Sequence, residues 1–199
     1  MNDPEFLRGA LLVADTLDAL GVPYAIGGSL ASVLHGFPRT TIDADLVADL
    51  QPEHISPFVR ALRDEFHVNP LVIVDAMQRR SSFNLVHKTA LFKVDVFLPK
   101  HRPFDQMQLE RRGREVILDE PERTAWVTSA EDIILVKLEW FRMGGEVSER
   151  QWRDVLGVIK TQGSLLDEAY LRQWAAELAV SDLLERAFKE VVDETGKDF

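Results

Sequence analysis

The chain has 199 residues, 46% of them apolar, and a net charge of −10; this suits one domain of ordinary size or a catalytic unit with an appendage, and argues against broad nucleic-acid binding. Cysteine is absent, which excludes disulfides, thiolate zinc sites and cysteine nucleophiles. No basic stretch leads into an apolar one at the N-terminus, and no apolar run nears the roughly 20 residues that span a bilayer, so the expectation is a soluble cytoplasmic protein with no membrane partner.

Phe6, Leu7, Ala10, Leu11, Ala14, Leu17 and Leu20 fall at helical spacing and predict a helix over 4–20, stopped by Gly21. Residues 22–26 form a short apolar strand, and Gly27-Gly28-Ser29 breaks it before a helix over 30–36. Residues 41–48 alternate and predict a strand; Pro52 opens a helix to about Phe66, and Leu71 to Val74 form a third strand. Two further strands, 83–87 and 91–98, meet at a tight turn near Lys88-Thr89. Segments 114–118 and 123–128 add strands or extend loops. From Ser129 the character changes. Ser129-Ala130-Glu131-Asp132 is a capping-box variant that starts a helix to about Met143, and helices follow over 148–161, 167–178 and 180–194. The expected organisation is an α/β core over 1–128 and a helical region over 129–199 packed on it, because the break lacks linker composition.

The strand over 41–48 places Thr41, Asp43, Asp45 and Val47 on one side, and Ile42, Ala44, Leu46 and Ala48 on a continuous apolar side. Two aspartates two residues apart sit roughly 6.6–6.8 Å apart at Cα. Their side chains can converge on a hard divalent cation, or they are solvent-facing polar positions of a half-exposed strand. In the strand over 91–98, Phe92, Val94, Val96 and Leu98 form the buried side and Lys93, Asp95 and Phe97 the other. If this strand lies beside 41–48, Asp95 joins the pair, and three carboxylates could hold two ions about 3.5–4 Å apart, the clamp of in-line phosphoryl chemistry.

The glycine turn offers a second feature. Glycines let a backbone approach a ligand closely, and a helix N-terminus presents free N–H groups and partial positive charge, an arrangement suited to a triphosphate. Ser29 donates to phosphate or caps the helix. The P-loop spacing is absent. Between Arg79 and Arg114 nine Lys/Arg face three acids, a basic segment that could meet a phosphate-bearing substrate or form a solvated face. The histidines are scattered without metal-ligand spacing, and Trp126, Trp140, Trp152 and Trp174 suit core packing better than base stacking.

The order Gly27-Gly28-Ser29, then Asp43-Ala44-Asp45, then Asp95 resembles the DNA polymerase beta-like nucleotidyltransferase superfamily, whose pattern is Gly-Ser, D-x-D and a third Asp. The stretch 27–46, with His35-Gly36 and Arg39 ahead of the D-x-D strand, is similar to the AbiEii-toxin-like bacterial branch, which also tends to carry a lysine on a following helix, here Lys137. The resemblance covers roughly residues 20–160. It implies an α+β fold, a small mixed sheet with flanking helices and a C-terminal helical region. It also implies transfer of a nucleoside monophosphate from a nucleoside triphosphate to an RNA, protein or small-molecule acceptor. Asp43, Asp45 and Asp95 would hold two Mg2+ ions, with Asp95 helping to deprotonate the acceptor. Gly27, Gly28, Ser29, Arg39 and Lys137 would hold the nucleotide. The cluster Arg150–Asp154 could pair with Lys137 or Arg142. A toxin-like role would bring a cognate antitoxin or regulator as partner. Two other classes compete: a catalytically silent binding or regulatory module on the same fold, and a nucleic-acid adaptor using the 79–114 patch.

Overall fold

The computed structural model describes residues 4–36, 40–41, 43–90 and 92–196. The chain divides into two compact units, Met1–Leu30 with Arg39–Thr128, and Ala31–Pro38 with Ser129–Phe199. In chain order the first contains helix α1 (Pro4–Ala19), strand β1 (Tyr24–Ile26), the first three residues of helix α2 (Gly28–His35), β2 (Asp43–Ala48), a 3-10 turn (Pro52–His54), α3 (Ile55–Leu62), β3 (Phe66–His67), α4 (Pro70–Arg79), β4 (Ser82–His87), β5 (Lys93–Phe97), α5 (Pro103–Glu110), β6 (Gly113–Asp119) and β7 (Glu122–Val127). The second holds the rest of α2, then α6 (Ala130–Met143), α7 (Glu149–Gln162), α8 (Glu168–Glu177) and α9 (Ser181–Thr195). The architecture is α+β, with a small mixed sheet flanked by helices and a helical C-terminal region.

Alternating residues set the sheet. Its strand order is β3-β4-β5-β2-β1-β7-β6. β2 runs parallel to β5, and β1 parallel to β7; the other neighbours are antiparallel. Ala44, Leu46, Val94 and Val96 are fully buried, while Asp43, Asp45, Lys93 and Asp95 are partly exposed, so one face packs and the other carries the charges. The packed face continues across β4, where Phe83 and Leu85 stand opposite Val96 and Val94. Aromatic rings lock helices onto it. Phe6 of α1 meets Phe92 edge-on at 5.7 Å between centroids, and Phe58 of α3 meets Phe83 at 6.1 Å. Such pairs add about 0.5–1.5 kcal/mol each beyond the area they bury.

Three local expectations change. Residues 71–74 are not a strand but lie in α4. Asn69 caps that helix by accepting from the Leu71 N–H at 2.9 Å, and Pro70 stands at its first position. A cap followed by proline starts a helix even where β-branched residues follow. Leu71 is 76% exposed and only Ile73 and Ala76 are buried, so the apolar run does not all face inward. The helix expected from Pro52 to Phe66 is a 3-10 turn, then α3, then the two-residue β3. Helix α5 was not read from the sequence. Proline stands at its start, and the Asp105 carboxylate accepts from the N–H groups of Lys100 and Arg102 at 3.0 and 3.1 Å while pairing with the Arg102 guanidinium at 2.8 Å. Asp105 is buried. Asp105→Ala is expected to destabilise the protein by about 1–3 kcal/mol, because those donors lose their acceptor; a denaturation curve checks it. Of the two alternatives left open for 114–118 and 123–128, the structure has strands, paired as the β6–β7 hairpin, with β7 ending at Val127.

In the second unit Ser129 caps α6, accepting from the Asp132 N–H at 3.1 Å and donating to its carboxylate at 2.9 Å. Trp152 packs against Phe141 at 5.3 Å, donates from its indole N–H to Glu190 at 3.0 Å and lies under the Arg186 guanidinium. Trp174 is buried as well, but Trp140 is 45% exposed and is not core. Gly36 has a packing reason: a Cβ there would fall 2.7 Å from the Ser32 carbonyl and 3.0 Å from the Val158 backbone nitrogen, so the end of α2 lies directly on the backbone of α7. The Gln162 side chain donates to the His35 carbonyl at 2.8 Å beside it.

Candidate active site

Register brings the acidic residues together. In the β2–β5 pairing Asp45 stands opposite Asp95, and Asp43 opposite Lys93. Residues paired this way share a face. Two carboxylates directly opposite each other repel, and the compensating charge is close: the Lys93 ammonium donates to Asp95 Oδ2 and lies 4.0 Å from Asp43 Oδ1. The hydrogen bond to Asp95 raises the Lys93 pKa above its ordinary value, aided by the charges of Asp95, Asp43 and Asp45 and opposed by partial burial. The row continues onto β4, where Asn84 stands opposite Asp95 and Val86 opposite Lys93. An open depression of about 350 Å³ begins there, lined by His67, Asn69, Val72, Asn84 and Val86 among others.

The glycine turn meets the same carboxylates. The Gly27 N–H donates to the Asp45 carbonyl at 2.8 Å, and Gly28 follows with φ +53°. A Cβ on Gly28 would lie 1.8 Å from Asp45 Oδ2, so the Asp45 carboxylate rests against the start of α2 where only glycine fits. Ser29 is buried inside the first turn of α2 rather than preceding the helix. Arg39 and Ile42 lie outside the described residues.

Lys137 belongs to the second unit. It is buried and pairs with Asp154 Oδ2 at 2.8 Å, one of the pairings the sequence allowed. The basic segment is largely engaged within the first unit. Arg79 pairs with Asp75, Lys88 donates to the Arg63 carbonyl, Arg112 and Arg114 stack on Trp126, and Arg114 reaches Asp18. Lys93 is the charged residue of this face that sequence reasoning did not count among the candidate site residues; its signal was the two-residue spacing that puts it on the face of Asp95.

Among the described residues, no three histidine or carboxylate side chains are grouped so as to hold one metal ion. Carboxylate oxygens are nonetheless the donor type a hard divalent cation takes. Three carboxylates face one way on neighbouring strands, and a cationic nitrogen already bridges Asp43 and Asp95.

This is a nucleotidyltransferase fold. The chain is similar to an antigenic nucleotidyltransferase-like protein from Paracoccidioides brasiliensis, at 20% identity and TM-score 0.52 over 89% of this chain and 91% of that one. It is also similar to the antibiotic-resistance factor ANT(2'')-Ia, at 12% identity and TM-score 0.51 over 90% and 96% of the two chains. No family model matches the sequence, and no curated protein matches it. No helix among the described residues is long and apolar enough to cross a membrane.

Proposed function

We propose that the protein is a divalent-metal-dependent nucleotidyltransferase that moves a nucleoside monophosphate from a nucleoside triphosphate to a hydroxyl of an RNA, protein or small-molecule acceptor. One observation carries this reading: the β2–β5 register sets Asp45 beside Asp95, with Asp43 on the same face, while the backbone of Gly28 touches the Asp45 carboxylate at the start of α2. A carboxylate cluster and a helix N-terminus thus adjoin, one suited to cations and the other to phosphate. The shared fold supports the reading.

Asp43, Asp45 and Asp95 would hold Mg2+. When bound, the metal supplies charge neutralisation at the phosphates and lowers the pKa of the acceptor hydroxyl. The backbone N–H groups at Gly28 and Ser29 orient the triphosphate. Asp95 accepts the acceptor's proton as the acceptor oxygen bonds to the α-phosphorus. The bond from the α-phosphorus to the bridging oxygen breaks, and pyrophosphate leaves with that electron pair. Arg39 adds a cation to the phosphate site in this reading.

The test is thermal shift with each of the four triphosphates plus Mg2+, on wild type and Asp43→Ala, followed by transfer of a labelled monophosphate. Stabilisation by at least one triphosphate in wild type and its loss in Asp43→Ala is the expected result. No shift with any triphosphate would overturn the proposal. A second reading, a silent module on the same fold serving a toxin-like regulator or partner, is favoured by one observation: Lys93 already supplies a counter-charge to Asp95 and Asp43. The AbiEii-like features of 27–46 belong to that reading equally.

A further inference from the structure

We infer that Lys93 is a built-in counter-ion of the carboxylate face. It holds Asp43 and Asp95 when no divalent ion is present, must release Asp95 before one binds, and then turns its charge to the incoming triphosphate. The inference rests on the proposed metal role of these carboxylates.

Lys93 and Asp95 lie on one strand two residues apart and on one face. Its ammonium contacts Asp95 Oδ2 and approaches Asp43 Oδ1 across the β2–β5 pairing. Without it, Asp43, Asp45 and Asp95 would place three negative charges on two adjacent strands with Asp45 and Asp95 directly opposed, which disfavours the pairing. Lysine suits the part. Its ammonium is a compact point charge on a flexible stem, able to leave one oxygen for another without a fixed planar geometry. The side chain is 44% exposed, whereas that of Asp95 is 19% exposed, so the lysine has room to move while the carboxylate is held.

Two consequences follow from competition for the same oxygens. A divalent ion alone must displace the ammonium, so its affinity is held down. A triphosphate bound at the start of α2 gives the displaced ammonium a new anionic partner, so metal and triphosphate assist each other. That assistance is reciprocal by linkage. Lys93 is therefore a positioning residue that makes metal loading conditional on nucleotide.

The experiment is calorimetric titration of the full chain with Mn2+, with and without a non-hydrolysable nucleoside triphosphate, on wild type, Lys93→Gln and Lys93→Arg. Melting curves without metal accompany it. Lys93→Gln is expected to bind Mn2+ alone about tenfold more tightly, equivalent to about 1.4 kcal/mol. It should gain less from the nucleotide than wild type does, and melt at a lower temperature unless Mn2+ is added. Lys93→Arg keeps the charge and should stay nearer wild type than Lys93→Gln does, which also covers the case in which Lys93→Gln folds poorly. Equal Mn2+ affinity in wild type and Lys93→Gln overturns the inference while leaving the carboxylates as metal ligands. An equal gain in Lys93→Arg and Lys93→Gln overturns it too, because charge would not be the cause. Absence of Mn2+ binding in every variant, with nucleotide or without, overturns the inference and the proposed metal role together.

Discussion

Gly28→Ala is expected to lower stability by about 2 kcal/mol or more and to weaken the response to metal and triphosphate at least tenfold, whereas Gly27→Ala should do neither. Two costs add at Gly28. Its φ of +53° is left-handed, which costs an L-residue about 1–2 kcal/mol. The new methyl would also stand 1.8 Å from Asp45 Oδ2, 2.5 Å from its carboxyl carbon and 2.7 Å from its Cβ. Rotating the carboxyl end alone does not clear such a contact, because the Asp45 Cβ is itself too near. Either the aspartate leaves its rotamer or the first turn of α2 moves away, and each change separates the carboxylate from the helix N-terminus. At Gly27 a Cβ meets nothing nearer than Thr128 Oγ1 at 3.6 Å, an ordinary contact. Denaturation curves for both variants, with a triphosphate–Mg2+ thermal shift on each, check the contrast. Equal tolerance at the two positions would mean that the Asp45 carboxylate has freedom the geometry denies it.

The pair of glycines was legible in the sequence as a turn, but not which of the two carries the constraint. That difference arises from the position of Asp45, on a strand that joins β1 by sheet pairing. The same holds for the charged face. Alternation on β2 and on β5 separates charged from apolar residues one strand at a time, so the sidedness of Asp43, Asp45, Lys93 and Asp95 could be read directly. The cross-strand partners could not, because sliding one strand by two residues keeps every side chain on its face and changes every neighbour. Lys93 was visible as a basic residue in a basic segment; its place as the counter-charge to Asp43 and Asp95 needed the register.

Helix α4 shows a different limit. The run Leu71-Val72-Ile73-Val74 has no period that separates a buried strand from part of a helix. The deciding signal was local chemistry just before it, the Asn69 cap and Pro70. Helix α5 carried a similar start, with Arg102 ahead of Pro103 and Asp105 reaching back to the backbone. The capped helices of the second unit were easier, because Ser129, Ser148 and Asp167 each precede a long stretch of helical spacing and accept from a backbone N–H there.

Lys137 and Asp154 give the other large expected effect. Both side chains are less than a tenth exposed and their charged atoms are 2.8 Å apart. Lys137→Met is expected to cost about 3–5 kcal/mol, since it leaves a buried carboxylate without its cation, and Asp154→Leu should cost a similar amount for the converse reason. The double variant Lys137→Met/Asp154→Leu should recover part of that loss, because the two members of this pair are removed together rather than one charge at a time. Residues in direct contact do not add, and the departure from additivity measures their coupling. The double variant also separates two roles that the single variants confuse. A single substitution that unfolds the helical unit would abolish any nucleotide response whatever Lys137 touches. In a stable double variant, a retained thermal shift with triphosphate and Mg2+ would confine Lys137 to holding α6 against α7. Loss of that shift at unchanged stability would mean that the Lys137–Asp154 pair does more than hold the two helices together.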